Sequence, residues 1–244
     1  MIKINNLTKK YKDKLAVDNL NLEIKTGELF SLLGTNGAGK TTTIKMLSTL
    51  ILPTSGEVEI NNLDLVKNSR KIKEIINISP QETAIASNLT VLENLYFMAG
   101  IYQIPNKEDK IKELIKLFKL EEVLKQKAKT LSGGYQRKLS IAISLINNPK
   151  ILFLDEPTLG LDVISRRELW HIIENLKGKI TIILTTHYME EAEALSDRIG
   201  IMNKGKLIEL GTSKELIKKA KTKNFEDAFI KIIEEDNNEN TNIY

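Results

Sequence analysis

The chain has 244 residues, 41% of them hydrophobic and 28% charged, the balance of an ordinary globular protein long enough to bury a sizeable core. Its 36 basic and 32 acidic residues leave a net charge of only +4, spread over many lysines, so a solvated surface is expected and no dedicated nucleic-acid face. It has no cysteine, which excludes disulfides and thiolate metal sites and fits a reducing cytosol, and no apolar run approaches the about 18 residues of a membrane span.

The opening MIKINNLTKKYKDK lacks an apolar h-region, so no secretion signal is expected. Residues 2–4 and 20–24 alternate apolar and polar positions, as half-exposed antiparallel strands do. Between them, Tyr11 sits in the polar stretch KKYKDKLAV. A lone Tyr there reads as an ordinary loop residue or as a ring that stacks on a nucleotide base.

The apolar run from Leu29 to Leu33 reads as a buried strand, and Thr42 to Leu47 as a helix. Between them Gly34, Thr35, Asn36, Gly37, Ala38, Gly39, Lys40 and Thr41 match G-x-x-x-x-G-K-[ST]. Strand, glycine loop and helix together form the context of a phosphate site. Glycines let the loop turn its N–H groups inward, and the helix start adds partial positive charge. Lys40 would then reach the β- and γ-phosphates of a nucleotide, the Thr41 hydroxyl would hold Mg²⁺, and Thr42 completes the binding set.

A turn follows at 51–56, then strands at 57–60 and 75–79, the second ending at Pro80-Gln81. Gln81 at that strand end could reach a metal or an attacking water. From there to about Asn148 the pattern is helical. Thr90 and Glu93 form a capping box for a helix that Gly100 can close. Ile111, Leu114, Ile115, Leu117 and Phe118 carry helical spacing, and so do Leu139, Ile143 and Ile146 before Pro149. Leu131-Ser132-Gly133-Gly134 opens that last helix with two poor helix formers. It reads either as a tight turn or as a second anion-binding helix start, with Ser132 as hydroxyl donor and Gly133 and Gly134 allowing close approach.

Ile151 to Leu154 is a run of four apolar residues leading into Asp155 and Glu156, the pattern of a central parallel strand. Given the phosphate loop, Asp155 would hold Mg²⁺ through water and Glu156 would polarise the water that attacks the γ-phosphate. A helix is expected over 165–177 with Gly178 as its stop, and a strand over 180–185 ending at His187. His187 is either structural or a hydrogen-bond donor to the γ-phosphate. Residues 199–202 and 206–210 read as a hairpin around Lys204-Gly205, and Thr212 with Glu215 caps a closing helix. Residues 1–230 are expected to form one α/β domain, with a core of 1–80 and 149–230 and a helical insert of 81–148. The asparagine-rich residues 231–244 are expected to be disordered.

With all these motifs in order, the chain resembles the ATP-binding subunit of an ATP-binding cassette (ABC) transporter. The likeness runs from Tyr11 to about Leu210. It rests on Tyr11, the Gly34–Thr41 loop, Gln81, LSGG at 131–134, Asp155-Glu156, Leu161-Asp162 and His187. The family's usual Gln after LSGG is here Tyr135, which puts only that residue's role in question.

The resemblance implies a P-loop NTPase core with a mixed sheet, an antiparallel N-terminal β part and an inserted helical subdomain. It implies a head-to-tail dimer of identical or similar ATPases, with ATP between one copy's Gly34–Thr41 and the other's Ser132–Gly134. Asp162 would connect the two sites. A membrane permease would be the partner, met through the helical insert with Gln81 at its hinge, on the cytoplasmic face of the membrane. The phrases THYMEEAEALSDRIGIM and LTVLENL are similar to the branch exporting drugs, polysaccharides or sodium. An importer subunit or a soluble relative acting on DNA or ribosomes is the alternative. Against the DNA-repair relatives, the 92-residue gap from Lys40 to Ser132 carries no sustained heptads. A non-enzymatic binding module would not need Glu156 and His187.

Overall fold

The structure is a computed structural model that describes residues 1–241; residues 242–244 lie outside it. Strands β1 (Ile2–Tyr11) and β2 (Lys14–Ile24) pair antiparallel, from Ile2 opposite Ile24 to Tyr11 opposite Lys14. Both are longer than the alternation suggested, because the hairpin continues through the polar segment. Tyr11 therefore ends a strand and does not sit in a loop. β3 (Leu29–Gly34) leads into the glycine loop and α1 (Lys40–Leu47), which begins two residues earlier than expected. β4 (Ser55–Ile60) and the short β5 (Leu63–Asp64) complete a four-stranded antiparallel sheet in the order β2-β1-β4-β5.

Helix α2 (Ser69–Ile75) precedes β6 (Ile76–Ser79). The helical stretch follows with α3 (Val91–Ile101), α4 (Lys107–Phe118) and α5 (Gly133–Ser144). Thr90 and Glu93 form the expected capping box, but Gly100 lies inside the last turn of α3 and does not end it. Next come β7 (Ile151–Asp155), α6 (Val163–Leu176) and β8 (Thr181–Thr186). α7 (Met189–Leu195), β9 (Arg198–Asn203), β10 (Lys206–Gly211), α8 (Ser213–Ala220) and α9 (Phe225–Thr241) close the chain.

The main sheet has the order β10-β9-β3-β8-β7-β6, parallel except for β10. Its central strands β3, β7 and β8 are buried along their whole length, as a sheet covered on both faces requires. Side-chain alternation assigns the faces. Phe30, Leu32, Phe153 and Ile183 join Ile44 and Leu47 of α1 and the inner face of the antiparallel sheet. Leu152, Leu154, Ile182 and Leu184 point the other way, into a core with α3, α4, α5 and α6. Each fully buried Leu, Ile or Phe stabilises the fold by roughly 1.5–3 kcal/mol. The sheet thus ends in a row of strand termini at Gly34, Ser79, Asp155 and Thr186, the edge at which ligands bind in open α/β sheets.

The expected disorder from residue 231 is overturned as far as Thr241, because α9 runs through it. Phe225, Ala228, Phe229 and Ile232 recur at helical spacing and are buried with Leu33, Ile199, Ile201 and Leu216. Beyond this stripe, the Asn203 amide donates to Asp236 at 2.7 Å and to Asn237 at 3.2 Å. The last three residues of the expected tail, 242–244, lie outside the described residues.

Candidate functional site

The glycine loop connects β3 to α1 at the end of the main sheet. Gly39, the residue before α1, has φ +104, and a Cβ there would stand 2.5 Å from the Ala16 carbonyl. Only glycine allows the loop to press against β2 in this way. Lys40 is 4% exposed and folds back over the loop, donating to the carbonyls of Gly34 at 2.8 Å and Thr35 at 3.1 Å. Burial lowers its pKa from the ordinary lysine value, while Glu156 nearby works in the opposite direction.

Asp155, the last residue of β7, is buried and accepts hydrogen bonds from the hydroxyls of Thr41 at 3.0 Å and Thr185 at 2.5 Å. Glu156 follows at φ 46, a left-handed conformation that a non-glycine residue adopts at a cost of roughly 1–2 kcal/mol. Its N–H donates to the carbonyl and the hydroxyl of Thr185, each at 3.1 Å. The conformation turns the carboxylate off the strand and toward the loop. Oε1 stands 3.7 Å from Lys40 Nζ and Oε2 3.4 Å from His187 Nδ1. His187 Nδ1 is near this carboxylate without aligning into a hydrogen bond among the described residues.

A cavity of about 430 Å³ brings these groups together: Asn36, Gly37, Gly39, Lys40, Thr41 and Thr42 on one side, Gln81, Glu156 and His187 on the other. Lys14 and Ala16 of β2 and Leu159 complete it. Tyr11 is not among the lining residues. It is 45% exposed at the hairpin end, with the Lys9 ammonium 5.1 Å from its ring centre, and it is Lys14 opposite it that reaches the cavity.

Ser132, Gly133 and Gly134 are also outside the cavity. They form a helix start, not a tight turn: Ser132 caps α5, its hydroxyl accepting from Tyr135 N–H at 3.4 Å. Ser132 and Gly133 are exposed, and a Cβ on Gly133 would meet nothing. Gly134 is buried, and a Cβ there would stand 2.8 Å from Ser165 Oγ. Ser165 in turn donates its hydroxyl to Asp162 at 2.7 Å. Asp162 caps α6 by accepting from the N–H groups of Ile164 and Ser165, which hold its carboxyl below the usual range, the Ser165 backbone bond most. Gly134 and Asp162 are thus neighbours through one serine.

Arg137, on α5, is a residue that motif reading missed. The residue is 3% exposed, and its guanidinium donates to the carbonyls of Pro80 at 2.6 Å, Gln81 at 3.0 Å and Glu156 at 2.7 Å. One side chain therefore ties the helix that begins at Ser132 to the two strand ends carrying Gln81 and Glu156. The partners are 57, 56 and 19 residues away, so no local pattern announces them. Arg137→Ala should leave three carbonyls without this donor and lower stability by about 1–3 kcal/mol. Arg137→Lys should recover part of that loss, and denaturant unfolding of the three proteins measures both.

Comparison with known proteins gives the family. The ABC transporter family profile matches residues 17–159. The probable multidrug ABC transporter ATP-binding protein YbhF of Escherichia coli is 40% identical over 99% of this chain, which spans 43% of YbhF's length. The linearmycin resistance ATP-binding protein LnrL of Bacillus subtilis is 40% identical over 88% of the chain and 70% of its own length. Among solved structures, a dimeric post-hydrolysis state of the ATP-binding cassette MJ0796 bound to ADP and Pi superposes with TM-score 0.79. It shares 30% identity, over 87% of this chain and 98% of that one. With its strand–loop–helix, its paired carboxylates and its helix start at Ser132 in these positions, the chain belongs to the ABC transporter family as one of its ATP-binding proteins.

Proposed function

We propose that this chain binds and hydrolyses ATP to power a membrane permease, most directly an exporter of drugs or similar small molecules. The observation that carries the reading is the single cavity shared by the Gly34–Thr41 loop, Gln81, Glu156 and His187. Backbone N–H groups of the loop, Lys40 and the start of α1 would hold the phosphates. Glu156 would accept the proton of the attacking water, and His187 and Gln81 would orient the water and the γ-phosphate. Tyr11, exposed beside the cavity mouth strand, would stack on the base.

The Thr41 hydroxyl and the Asp155 carboxylate, 3.0 Å apart, are the hard oxygen donors that suit Mg²⁺. Such an ion, when bound, would neutralise phosphate charge. Asp155 is already oriented for it by Thr185, while Thr41 is held at the first turn of α1.

The exposed Ser132–Gly133 start lies outside the cavity, so we infer that it serves a second copy in a head-to-tail dimer. Asp162 would link the two sites through Ser165 and Gly134. That the MJ0796 cassette is dimeric supports pairing of two copies. Residues 81–148 would be the insert that meets the permease, at the cytoplasmic face of the membrane. No helix among the described residues is long and apolar enough to cross a membrane, so the substrate path would belong to that partner. Export, as opposed to import, is supported by the names of YbhF and LnrL.

Affinity capture of the tagged chain from detergent-solubilised native membranes tests the reading. A multi-span membrane protein should be recovered in matching amount, and its presence should raise phosphate release from ATP. Recovery with ribosomes or DNA-bound proteins alone would overturn the transporter reading and leave the ATPase chemistry coupled to a soluble machine.

A further inference from the structure

Glu191 lies on α7, four residues after His187, and its carboxylate is fully buried. Oε1 accepts two hydrogen bonds, from the Thr158 hydroxyl at 2.8 Å and from the Trp170 indole N–H at 3.0 Å. Oε2 has no hydrogen-bond partner among the described residues. Burying a carboxylate is unfavourable unless its partners are worth keeping, and burial does push this carboxyl above the usual glutamate range. The Thr186 side chain, then Thr158, Trp170 and Arg166, act in the opposite direction.

The two donors come from either end of one segment. Thr158 is two residues after Glu156 and directly before Leu159, which lines the nucleotide cavity. Trp170 is on α6, the helix capped by Asp162. Between them the chain bulges outward, with Leu159, Val163 and Ile164 exposed by 38%, 64% and 73%. A single oxygen on α7 thus fastens both flanks of that bulge to the element that begins just after His187. We propose that Glu191 is a positioning residue: its buried carboxylate clamps the segment following Glu156, and helix α6, against the helix behind His187. The clamp sets where His187 and Leu159 stand around the cavity. This inference rests on the ATPase reading above, and on the acceptor geometry of Oε1 more than on charge.

Trp170 is the only tryptophan, so its emission reports the clamp directly. Glu191→Gln keeps an acceptor for both donors and should hydrolyse ATP within about threefold of the parent chain, with unchanged emission. Glu191→Ala removes it and should lower kcat by about tenfold or more while KM moves less than about threefold. Its Trp170 emission should shift, and the emission change on adding ATP should shrink. Where Glu191→Ala fails to fold, Thr158→Val, which removes one donor and keeps the volume, should show the same split at smaller size. A Glu191→Ala chain with parental kcat and parental emission response would overturn the clamp, and so would a Glu191→Gln chain as impaired as Glu191→Ala. A fall in thermal midpoint with no change in kcat would also overturn it, leaving only a packing role. If the parent chain itself releases no phosphate with its membrane partner, the ATPase reading fails, and the emission response to ATP in the two variants still decides the clamp.

Discussion

Glu156→Gln is expected to bind ATP and to hydrolyse it about 100-fold more slowly or worse, the scale of losing a positioned general base. The fold around it should survive, because the contacts that hold residue 156 in its left-handed conformation are made by its backbone. Its N–H meets Thr185 and its carbonyl meets Arg137, and neither uses the carboxylate. Gln has the same shape, so Lys40 and His187 keep a polar neighbour while the proton acceptor is gone. With hydrolysis stopped, the ATP-bound dimer should persist long enough to be seen by size-exclusion chromatography. Phosphate release and calorimetric ATP titration on the same preparation separate chemistry from binding. A variant that released phosphate at the parental rate would take the base role away from Glu156.

Lys40→Ala acts on the other half of the reaction. Lys40 is nearly fully buried and is held by the carbonyls of Gly34 and Thr35, so its ammonium stands inside the loop and needs no large rearrangement to meet phosphate. A hydrogen bond to a charged group contributes about 1.5–3 kcal/mol. Removal should therefore weaken ATP binding by about 10–100-fold. Lys40→Met keeps most of the length and packing but not the charge, and should lose nearly as much affinity as Lys40→Ala. Calorimetric titration with ATP checks both, and an affinity within about twofold of the parent for either would remove Lys40 from the phosphate site.

What could be read in the sequence was local. The glycine loop, the largely apolar strands before Gly34 and Asp155, and the capping boxes at Thr90 and Thr212 each depend on residues a few positions apart. Arg137 and Glu191 were not legible for the opposite reason. Their meaning comes from carbonyls and hydroxyls that other elements bring to them. Helix α7, MEEAEAL, is short and rich in glutamate, and shows only a narrow buried side of Glu191, Ala192 and Leu195. The end of α9 was misread because its asparagines and acids outweighed a four-residue apolar stripe beginning at Phe225. Tyr11 was placed in a loop because polar residues around it hid a hairpin set by pairing with β2.

The position of β3 in the main sheet has a consequence for how the protein is made. Its two neighbours are β8 and β9, so Leu29 pairs with Ile182, about 150 residues further along the chain. At a synthesis rate of roughly 5–20 residues per second, the strand that carries the nucleotide loop waits on the order of 10 s for its first neighbour. Throughout that interval the Leu29–Leu33 run, wholly buried in the finished sheet, lacks both of its strand neighbours. Nascent chains arrested before about residue 190 should therefore fail to retain ATP and should be bound by chaperones, while chains released after β9 should acquire both sheet partners of the loop at once.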